Sequence, residues 1–310
     1  MEYSVIDLHC DVLMKLANNS SFDFFSNELD INYNKLKQGN VKVQAMAIFI
    51  DPNISSDKQF EEALKQIQAY KEKVLTTEGV IQITRWSQLQ ELTDNQIGTF
   101  LTLEGVDCIG NDLSKLEYLI NQGVLSCGLT WNNANLACDG IMEQRGAGLS
   151  KFGKEVVILL NSRDILIDVS HISEKGFMDV VKLGKHVIAS HSNSYSICGH
   201  TRNLRDYQIE ELLKRDSIVH LVYCTAFVSD SPVTIDDLIK HVNYFIERGM
   251  ENNIGLGSDF DGIKEKIVQL EDSSMTMNFI STLENKYGTE TTKKICCDNF
   301  IAYIQRNFKG

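Results

Sequence analysis

The sequence predicts an α/β protein built as a single (β/α)8 barrel of the TIM type. Short β-rich apolar runs alternate with longer segments of helical periodicity, which is the pattern of βαβ units around a parallel sheet. Eight such runs occur, the number that a closed barrel requires. The chain has 310 residues, 43% of them hydrophobic, which is enough for one such barrel. Because alternation alone does not show closure, an open doubly wound sheet is the alternative.

The predicted strands are short apolar stretches that end close to polar or glycine residues. In chain order they are 4–8 (SVIDL), 42–49 (KVQAMAIF), 99–103 (TFLTL), 126–130 (SCGLT), 165–170 (ILIDVS), 186–190 (HVIAS), 217–223 (SIVHLVY) and 253–258 (NIGLGS). A further run, VIQI at 80–83, has the composition of a strand but no place in an eight-strand count.

The segments between these runs predict helices. Apolar residues recur at helical spacing after Ser56, and Ser56 with Gln59 has the spacing of a capping box, as does Ser114 with Glu117. No linker-like composition and no internal repeat interrupts the pattern, so residues 1–310 are expected to form one domain. Further helices are predicted at 151–162, 174–182, 206–214 and 234–249, with two more near the C-terminus.

Composition argues against several classes of partner. The formal net charge is -12, whereas nucleic acid binding requires clustered Lys and Arg. No apolar run has the length of a membrane span, and Asp7, Asp11 and Lys15 interrupt the N-terminal apolar stretch, unlike a secretory signal. The eight cysteines form no CxxC pair or regular framework, which indicates buried thiols in a reducing compartment. We therefore expect a cytoplasmic protein without nucleic acid or membrane partners.

Residues suited to metal binding and acid–base chemistry follow five of the predicted strands. They are His9 and Asp11 after the first strand, Glu104 after the third, His171 after the fifth, His191 after the sixth and Asp259 after the eighth. Because the carboxyl ends of barrel strands carry catalysis, closure would bring these side chains to one rim. In an extended strand residues two apart point the same way, so His9 and Asp11 can face one ion while Cys10 turns aside.

The number of ligand-type residues favours two ions over one. His9, Asp11, Glu104, His171 and His191 are too many for one catalytic zinc that keeps a position for water. Two ions about 3.5–4 Å apart, bridged by a carboxylate, can share a water that loses its proton near neutral pH while both polarise a carbonyl. Zinc is the default, although such ligands also accept Mn²⁺ or Co²⁺.

Each residue taken singly also has a structural explanation. A lone histidine at a strand end is more often a hydrogen-bonded loop residue than a ligand, and a lone aspartate there is usually a helix cap. The joint pattern at one rim outweighs these explanations. His186, His220 and His241 are assigned structural positions in strands and a helix, and His200 is left open.

Six stretches, spread over nearly the whole chain, have an order and spacing typical of one known family. They are DLHCD at 7–11, LEG at 103–105, KFGKEVV at 151–157, DVSH at 168–171, ASHSNSYSICGHTRN at 189–203 and IGLGSDFDG at 254–262. Through them the chain resembles the membrane dipeptidase (renal dipeptidase) family of zinc peptidases, peptidase family M19, in its bacterial cytosolic branch. The resemblance implies a barrel of the metallo-dependent hydrolase type, two zinc ions, a small peptide substrate and a homodimer.

The resemblance also implies which residues hold each ion. His9, Asp11 and Glu104 are expected to hold one zinc, and Glu104 is expected to bridge to a second zinc that His171 and His191 hold. This grouping agrees with the one based on the strand ends.

Two further roles follow from the resemblance. Arg202 is expected to bind the terminal carboxylate of the substrate, since a guanidinium can grip a carboxylate with two hydrogen bonds. Asp259 is expected to act on the attacking water or on the amine side of the substrate. The structural explanations are a surface salt bridge for Arg202 and a helix cap for Asp259. From the residues alone, Asp261 cannot be separated from Asp259.

One position departs from the family pattern. Where the renal enzyme has a histidine after its fourth strand, in a stretch like LTHN, this chain has GLTWNN with Trp131. Indole donates one hydrogen bond, carries no charge and cannot accept. We favour an aromatic wall of the substrate pocket over a direct catalytic role for Trp131.

The expected function is therefore that of a dinuclear zinc dipeptidase acting on dipeptides with a free C-terminal carboxylate. The same metal site could hydrolyse bonds with other leaving groups. Because Trp131 departs from the family pattern, hydrolysis of acyl-amino acids, lactones or other small amides is the alternative. A metal-binding homologue without turnover is the third hypothesis.

Overall fold

Nine parallel strands lie in residues 3–230 and 232–308, which the computed structural model describes. Eight of them follow one another around a barrel in the order β7-β6-β5-β4-β2-β1-β9-β8, and a parallel bridge between Ala189 and Val219 joins the two ends. This nearly closed barrel confirms the predicted fold. The strands are β1 (Val5–Asp7), β2 (Val41–Phe49), β3 (Val80–Gln82), β4 (Ile97–Glu104), β5 (Val124–Gly128), β6 (Leu166–Asp168), β7 (Val187–Ile188), β8 (Val219–Leu221) and β9 (Ile254–Leu256).

The additional run VIQI forms β3, which lies outside the barrel order. β3 pairs with the first residues of β4, from Ile97 to Thr99, whereas β5 pairs with β4 only from Leu101 onward. β3 therefore pairs with the part of the β4 edge that β5 leaves free. It is a strand, but it is not one of the eight strands that form the barrel.

The helices connect the strands and cover the outside of the barrel. They are α1 (Val12–Asn18), α2 (Tyr33–Gln38), α3 (Gln59–Ala69), α4 (Leu113–Asn121), α5 (Lys151–Ser162), α6 (Glu174–Leu183), α7 (Asp206–Lys214), α8 (Thr225–Val228), α9 (Ile235–Glu247), α10 (Thr276–Lys293) and α11 (Asn299–Asn307). Single π-helical segments extend α3 and α10. Within the described part of the chain, no helix is both long enough and apolar enough to cross a membrane.

Two helix starts differ from the predicted ones. α3 begins at Gln59 after Lys58, without a side-chain cap, so the capping box expected from Ser56 does not form. α4 begins earlier than expected, because the Asp112 carboxylate accepts a hydrogen bond from the backbone nitrogen of Ser114 and caps the helix. In both cases a spacing rule identified the helix but not its first residue.

The interior of the barrel is apolar at its amino end. Trp86 packs edge-on against Phe100 of β4 and Phe300 of α11, with ring centroids 5.3 and 5.8 Å apart. Strand residues such as Ile6 and Leu166 belong to the same buried cluster. This apolar cluster fills the amino end of the barrel, and the candidate site lies at its carboxyl end.

Candidate metal centre

The five residues expected to bind metal meet at the carboxyl end of the barrel, around Glu104. The Oε1 atom of Glu104, the last residue of β4, lies 2.9 Å from His171 Nε2, 3.6 Å from His191 Nε2 and 3.8 Å from His9 Nε2. All of these side chains are buried. Burial raises the pKa of Glu104 well above its usual value, and the charge of His9 opposes this rise. Glu104 thus has the central position that a bridging ligand needs.

His9, Asp11 and Asp259 form one group next to Glu104, which we call the acidic half. His9 Nε2 is 3.5 Å from Asp11 Oδ2 and 3.7 Å from Asp259 Oδ1. Burial opposes a charge on His9, but the carboxylates of Glu104, Asp11 and Asp259 raise its pKa to about 10. The arrangement concentrates negative charge around one imidazole.

The backbone that carries His9 and Asp11 differs from the predicted extended strand. β1 ends at Asp7, and Asp11 is the residue before α1, so His9 and Asp11 do not lie in one extended strand. Cys10 forms a parallel bridge with Phe260 and its thiol donates to the carbonyl of Ala45. The two expected ligands therefore converge because the chain turns after the strand, while Cys10 points away as expected.

His171 and His191 also face Glu104, and we call this pair the imidazole half; the His191 ring stacks on that of His9 with centroids 3.9 Å apart. The Nε2 atoms of His171 and His191 are 2.8 Å apart. His171 Nδ1 lies 2.8 Å from the side-chain oxygen of Asn132, which can only accept, so the proton of a neutral His171 is on Nδ1 and its Nε2 carries a lone pair. Burial lowers the pKa of both histidines well below the usual value.

These atoms fit divalent cations. Within the described residues, His9 Nε2 and Asp11 Oδ1 are buried and have no hydrogen-bond partner, and a buried polar atom without a partner is costly. Donor atoms of His9, Glu104 and His191, and of His9, Asp11 and Asp259, lie within 4.8 Å of one another. Imidazole nitrogen and carboxylate oxygen are the donors that zinc takes in catalytic sites. The donor set is therefore suited to binding a divalent cation.

The structure separates Asp259 from Asp261. Asp259 faces His9, whereas the Asp261 carboxylate accepts from Lys15 Nζ at 2.8 Å and from the backbone nitrogens of Asp30 and Ile31, each at 2.9 Å. Asp261 therefore fixes the loop before α2 and does not enter the site. Burial raises the pKa of Asp259 to about 7, although His9 lowers it.

Gly262 permits the close approach of two carboxylates in the acidic half. A Cβ atom at this position would overlap Asp11 Oδ2 and lie 2.6 Å from Asp259 Oδ1. Because real Cβ atoms do not approach other atoms so closely, any side chain here would displace one of the two carboxylates. The glycine is thus part of the site although it carries no functional group.

Arg202 is buried beside the imidazole half, which excludes the surface salt bridge considered from the sequence. Its Nη1 donates to the carbonyl of Ser170, and its Nη2 donates to the carbonyl of His191 at 3.2 Å. Its Nε is buried without a partner among the described residues. The guanidinium thus links the loops that carry His171 and His191, a contact that no pattern in the sequence predicts.

Trp131 lies on the same side of the site. Its ring packs edge-on against Phe49, the last residue of β2, at a centroid distance of 5.3 Å. The centroid distance from its ring to that of His171 is 6.0 Å. The two aromatic rings form one face next to the imidazole half.

Sequence reasoning missed the residues directly behind the ligands. Asn132 contacts His171, and the Ser190 hydroxyl lies 2.7 Å from His191 Nδ1. Behind the acidic half, the Asp7 carboxylate accepts from both the backbone nitrogen and the hydroxyl of Ser258. The sequence offers only two signals for these partners: Ser190 precedes His191, and Asn132 follows Trp131. The contacts of Asn132 and Asp7 join segments that are distant in sequence and form only in the folded barrel.

The remaining histidines are held by hydrogen bonds outside the ligand cluster. His220 Nδ1 donates to the carbonyl of Ala189 at 2.9 Å. His241 accepts from the backbone nitrogen of Ser194. His200, left open from the sequence, accepts from the backbone nitrogen of Arg202 at 3.2 Å. His200 thereby contacts the arginine backbone and not the ligands.

Comparisons with known proteins identify the family and the fold that this chain shares. The family model described as Membrane dipeptidase (Peptidase family M19) matches residues 1–306. The chain is 30% identical over 208 residues to Dipeptidase tcpJ from Claviceps purpurea. The aligned part is 65% of this chain and 49% of that protein, so the chain spans about half the length of this relative.

Two crystal structures share the fold over the whole barrel. That of the dipeptidase AC, a metallopeptidase of family M19, covers 100% of both chains with a TM-score of 0.92 and 23% identity. That of a metallopeptidase from Rhodobacter sphaeroides, liganded with a phosphinate mimic of the dipeptide L-Ala-D-Ala, covers 99% of this chain and 100% of that chain, with a TM-score of 0.93 and 22% identity. At sequence identities of 23% and 22%, the structural similarity to these two proteins shows that this chain has the same fold.

Proposed function

The chain belongs to the membrane dipeptidase family, peptidase family M19, and from this premise we propose that it is a dinuclear zinc dipeptidase. The observation that carries the proposal is the cluster of three buried imidazoles around the Glu104 carboxylate, with all three Nε2 atoms within 3.8 Å of one oxygen. The relative from Claviceps purpurea is a dipeptidase, which supports the same reaction here.

In this proposal the side chains divide the metal binding between the two halves. His9, Asp11 and Glu104 hold one zinc, and Glu104, His171 and His191 hold the other. When bound, the ions supply Lewis acidity toward the substrate carbonyl and lower the pKa of a shared water. The protein contributes buried ligands, of which His171 and His191 are held at Nδ1 by Asn132 and Ser190.

Asp259 is the acid–base residue of the proposal. Its carboxylate faces the acidic half and is 15% exposed, more than the ligands that surround it. A carboxylate at this position can accept the proton of the attacking water and deliver it to the leaving nitrogen. Glu104 contributes to catalysis by keeping the two halves at a fixed separation.

Arg202 is the proposed recognition element for the C-terminal carboxylate of the substrate. It keeps N–H groups available, because its two terminal nitrogens each use one donor on a main-chain carbonyl and its Nε has no partner among the described residues. Trp131 and Phe49 form the aromatic wall of the pocket. The Rhodobacter sphaeroides protein binds a mimic of L-Ala-D-Ala, so we include dipeptides with a C-terminal D-residue among the substrates.

The proposal includes several properties that remain predictions. Residues 1–310 form one domain, the protein is cytoplasmic, and it assembles as a homodimer. The eight cysteines are free thiols in the structure, which supports a reducing compartment. Zinc is the proposed native metal, with Mn²⁺ or Co²⁺ as substitutes that the same donors accept.

The proposal is tested by hydrolysis of a dipeptide panel that includes L-Ala-D-Ala and L-Ala-L-Ala. We expect turnover that a chelator abolishes and added zinc restores, and two zinc ions per chain by elemental analysis. Two bound ions without hydrolysis of any amide would support the non-catalytic alternative. Absence of bound metal after incubation with zinc would contradict the proposal.

Trp131 motivates a second candidate function, the hydrolysis of acyl-amino acids or lactones. Its uncharged ring stands where the renal enzyme has histidine, and with Phe49 it gives the pocket an apolar face. A faster turnover of N-acyl amino acids than of every dipeptide, measured as kcat/KM, would favour this candidate. Both functions share the metal centre, so metal content does not separate them.

A further inference from the structure

A buried carboxylate and hydroxyl stand behind His191. Asp168, the last residue of β6, accepts three hydrogen bonds at Oδ1: from the backbone nitrogens of Ser170 at 3.1 Å and Ser190 at 2.9 Å, and from the Ser170 hydroxyl at 2.7 Å. Its Oδ2 accepts from the Ser190 hydroxyl. The Ser190 Oγ atom in turn lies 2.7 Å from His191 Nδ1. Asp168, Ser190 and His191 are buried.

The protons in this chain of hydrogen bonds can be counted. A serine hydroxyl has one proton, and an ionised carboxylate can only accept. Because Ser190 gives its proton to Asp168, it presents a lone pair to His191 Nδ1. The Ser170 hydroxyl, 3.3 Å from Ser190 Oγ, uses its own proton on Asp168 Oδ1. The proton of a neutral His191 must therefore be on Nδ1, and Nε2 carries a lone pair.

We infer that Asp168 is a positioning residue that acts through Ser190 to hold His191 in the Nδ1-protonated tautomer. The Nε2 lone pair then points toward Glu104 Oε1, at 3.6 Å, and toward His171 Nε2, at 2.8 Å. A metal ligand must present this lone pair. The importance of the tautomer for zinc rests on the proposed function, whereas the tautomer itself follows from the hydrogen bonds.

The two oxygens of Asp168 accept different numbers of hydrogen bonds, three at Oδ1 and one at Oδ2. This difference makes the inference testable with one isosteric substitution. In Asp168→Asn the amide oxygen must stay at the Oδ1 position, where three donors converge. The amide NH₂ is then directed at Ser190 Oγ, which becomes an acceptor there and donates its own proton to His191 Nδ1. The tautomer of His191 inverts, and an Nε2–H group points into the site.

The experiment compares wild type, Asp168→Asn, Ser190→Ala and the double variant Asp168→Asn/Ser190→Ala. Imidazole ¹⁵N NMR of the metal-free proteins reports the tautomer, with His191→Gln used to assign the signals, and equilibrium dialysis with zinc reports the number and affinity of bound ions. We expect Nδ1–H in wild type and Nε2–H in Asp168→Asn. The more weakly bound zinc is expected to lose at least about tenfold in affinity in Asp168→Asn.

The double variant distinguishes positioning through Ser190 from a general structural role. Without the hydroxyl, the introduced asparagine side chain cannot impose the wrong tautomer, so zinc binding is expected to recover relative to the single Asp168→Asn variant. Ser190→Ala alone is expected to give a mixture of tautomers. An Nδ1–H tautomer retained in Asp168→Asn, or a double variant that binds zinc no better than the single one, would overturn the inference.

Asp7→Asn is the matched control. Asp7 also accepts from a serine backbone nitrogen and hydroxyl, those of Ser258, but that hydroxyl lies 3.3 Å from the carbonyl of His9 and does not contact a ring. This variant is expected to leave the His191 tautomer unchanged; inversion in Asp7→Asn would also overturn the inference. If wild type bound no zinc, the proposed function would fail while the NMR result still decided the tautomer.

Discussion

The acidic half and the imidazole half of the centre hold charge in opposite ways. In the acidic half the carboxylates of Glu104, Asp11 and Asp259 raise the pKa of His9 to about 10. In the imidazole half burial lowers the pKa of His171 and His191 well below the usual value. A proton can therefore partly replace a cation in the acidic half. In the imidazole half the lowered pKa values disfavour an added proton, and the two Nε2 atoms lie 2.8 Å apart.

The residues behind each half differ accordingly. The Asp7–Ser258 pair fixes the backbone next to His9, whereas Asp168–Ser190 contacts the ring of His191 itself. The acidic half thus depends on charge balance among its side chains, and the imidazole half depends on the orientation and tautomer of its rings. Variants that act on one half, or on both, are expected to separate these two requirements.

The largest effect is expected from Glu104→Gln, because the Glu104 carboxylate lies within 4 Å of imidazole nitrogens from both halves. Loss of its charge removes the shared ligand, so we expect bound zinc to fall from two ions to one or none and kcat/KM to fall by more than about 100-fold. Metal analysis and dipeptide hydrolysis measure this. The matched control is Glu91→Gln on the surface, where Glu91 pairs with Arg85. Retention of two tightly bound ions in Glu104→Gln would remove the basis for two coupled halves.

Arg202→Lys tests whether the arginine serves the substrate, the imidazole half or both. Loss of a charged hydrogen bond of this kind is worth roughly 1.5–3 kcal/mol, which corresponds to about 10–100-fold in kcat/KM. If Arg202 grips the carboxylate, the loss is confined to dipeptides with a free C-terminus, and C-terminal dipeptide amides are hydrolysed equally by wild type and variant. A lower zinc content in the variant would instead show that the bonds to the carbonyls of Ser170 and His191 support the imidazole half.

Gly262→Ala is expected to affect the acidic half alone. The added Cβ would overlap Asp11 Oδ2 and press on Asp259, so we expect a destabilisation of about 1–3 kcal/mol and weaker binding of one zinc ion. Chemical denaturation and zinc titration measure the two effects. Gly199→Ala is the control, since the nearest atoms to its added Cβ are 3.8 Å away. Equal effects of both substitutions would show that the packing around Gly262 has no special role in the site.

The ends of the strands could be predicted from sequence because they depend on local patterns. Apolar runs located the barrel, and the polar residues after them included the three histidines that lie within 4 Å of Glu104. What the sequence could not show was how the chain turns beyond a strand. Asp259 and Asp261 both have positive φ, at 66° and 67°, so the alternation of an extended strand does not apply to them. Their carboxylates consequently diverge.

Contacts between distant segments were also beyond prediction. The bond from Arg202 to the Ser170 carbonyl and the bond from Ser190 to Asp168 join residues 32 and 22 positions apart in sequence. Neither bond produces a periodicity or a spacing that a single sequence reveals. They arise because β6 and β7 are neighbours in the barrel, where Asp168 pairs with Ile188. The candidate ligands could thus be predicted from local patterns, whereas the residues behind them could not.

The smallest effect is expected from Trp131→Phe, which tests whether the imidazole half needs a hydrogen-bond donor from the aromatic face. Phenylalanine keeps the ring that packs against Phe49 but removes the indole N–H. If Trp131 is only a wall, kcat/KM changes by less than about tenfold, because the loss of apolar contact is small. If the N–H stabilises the oxyanion, the expected loss in kcat is about 10²–10³. That larger loss, with zinc content unchanged, would assign a polar catalytic role to the imidazole side of the pocket and contradict its description as a purely aromatic surface.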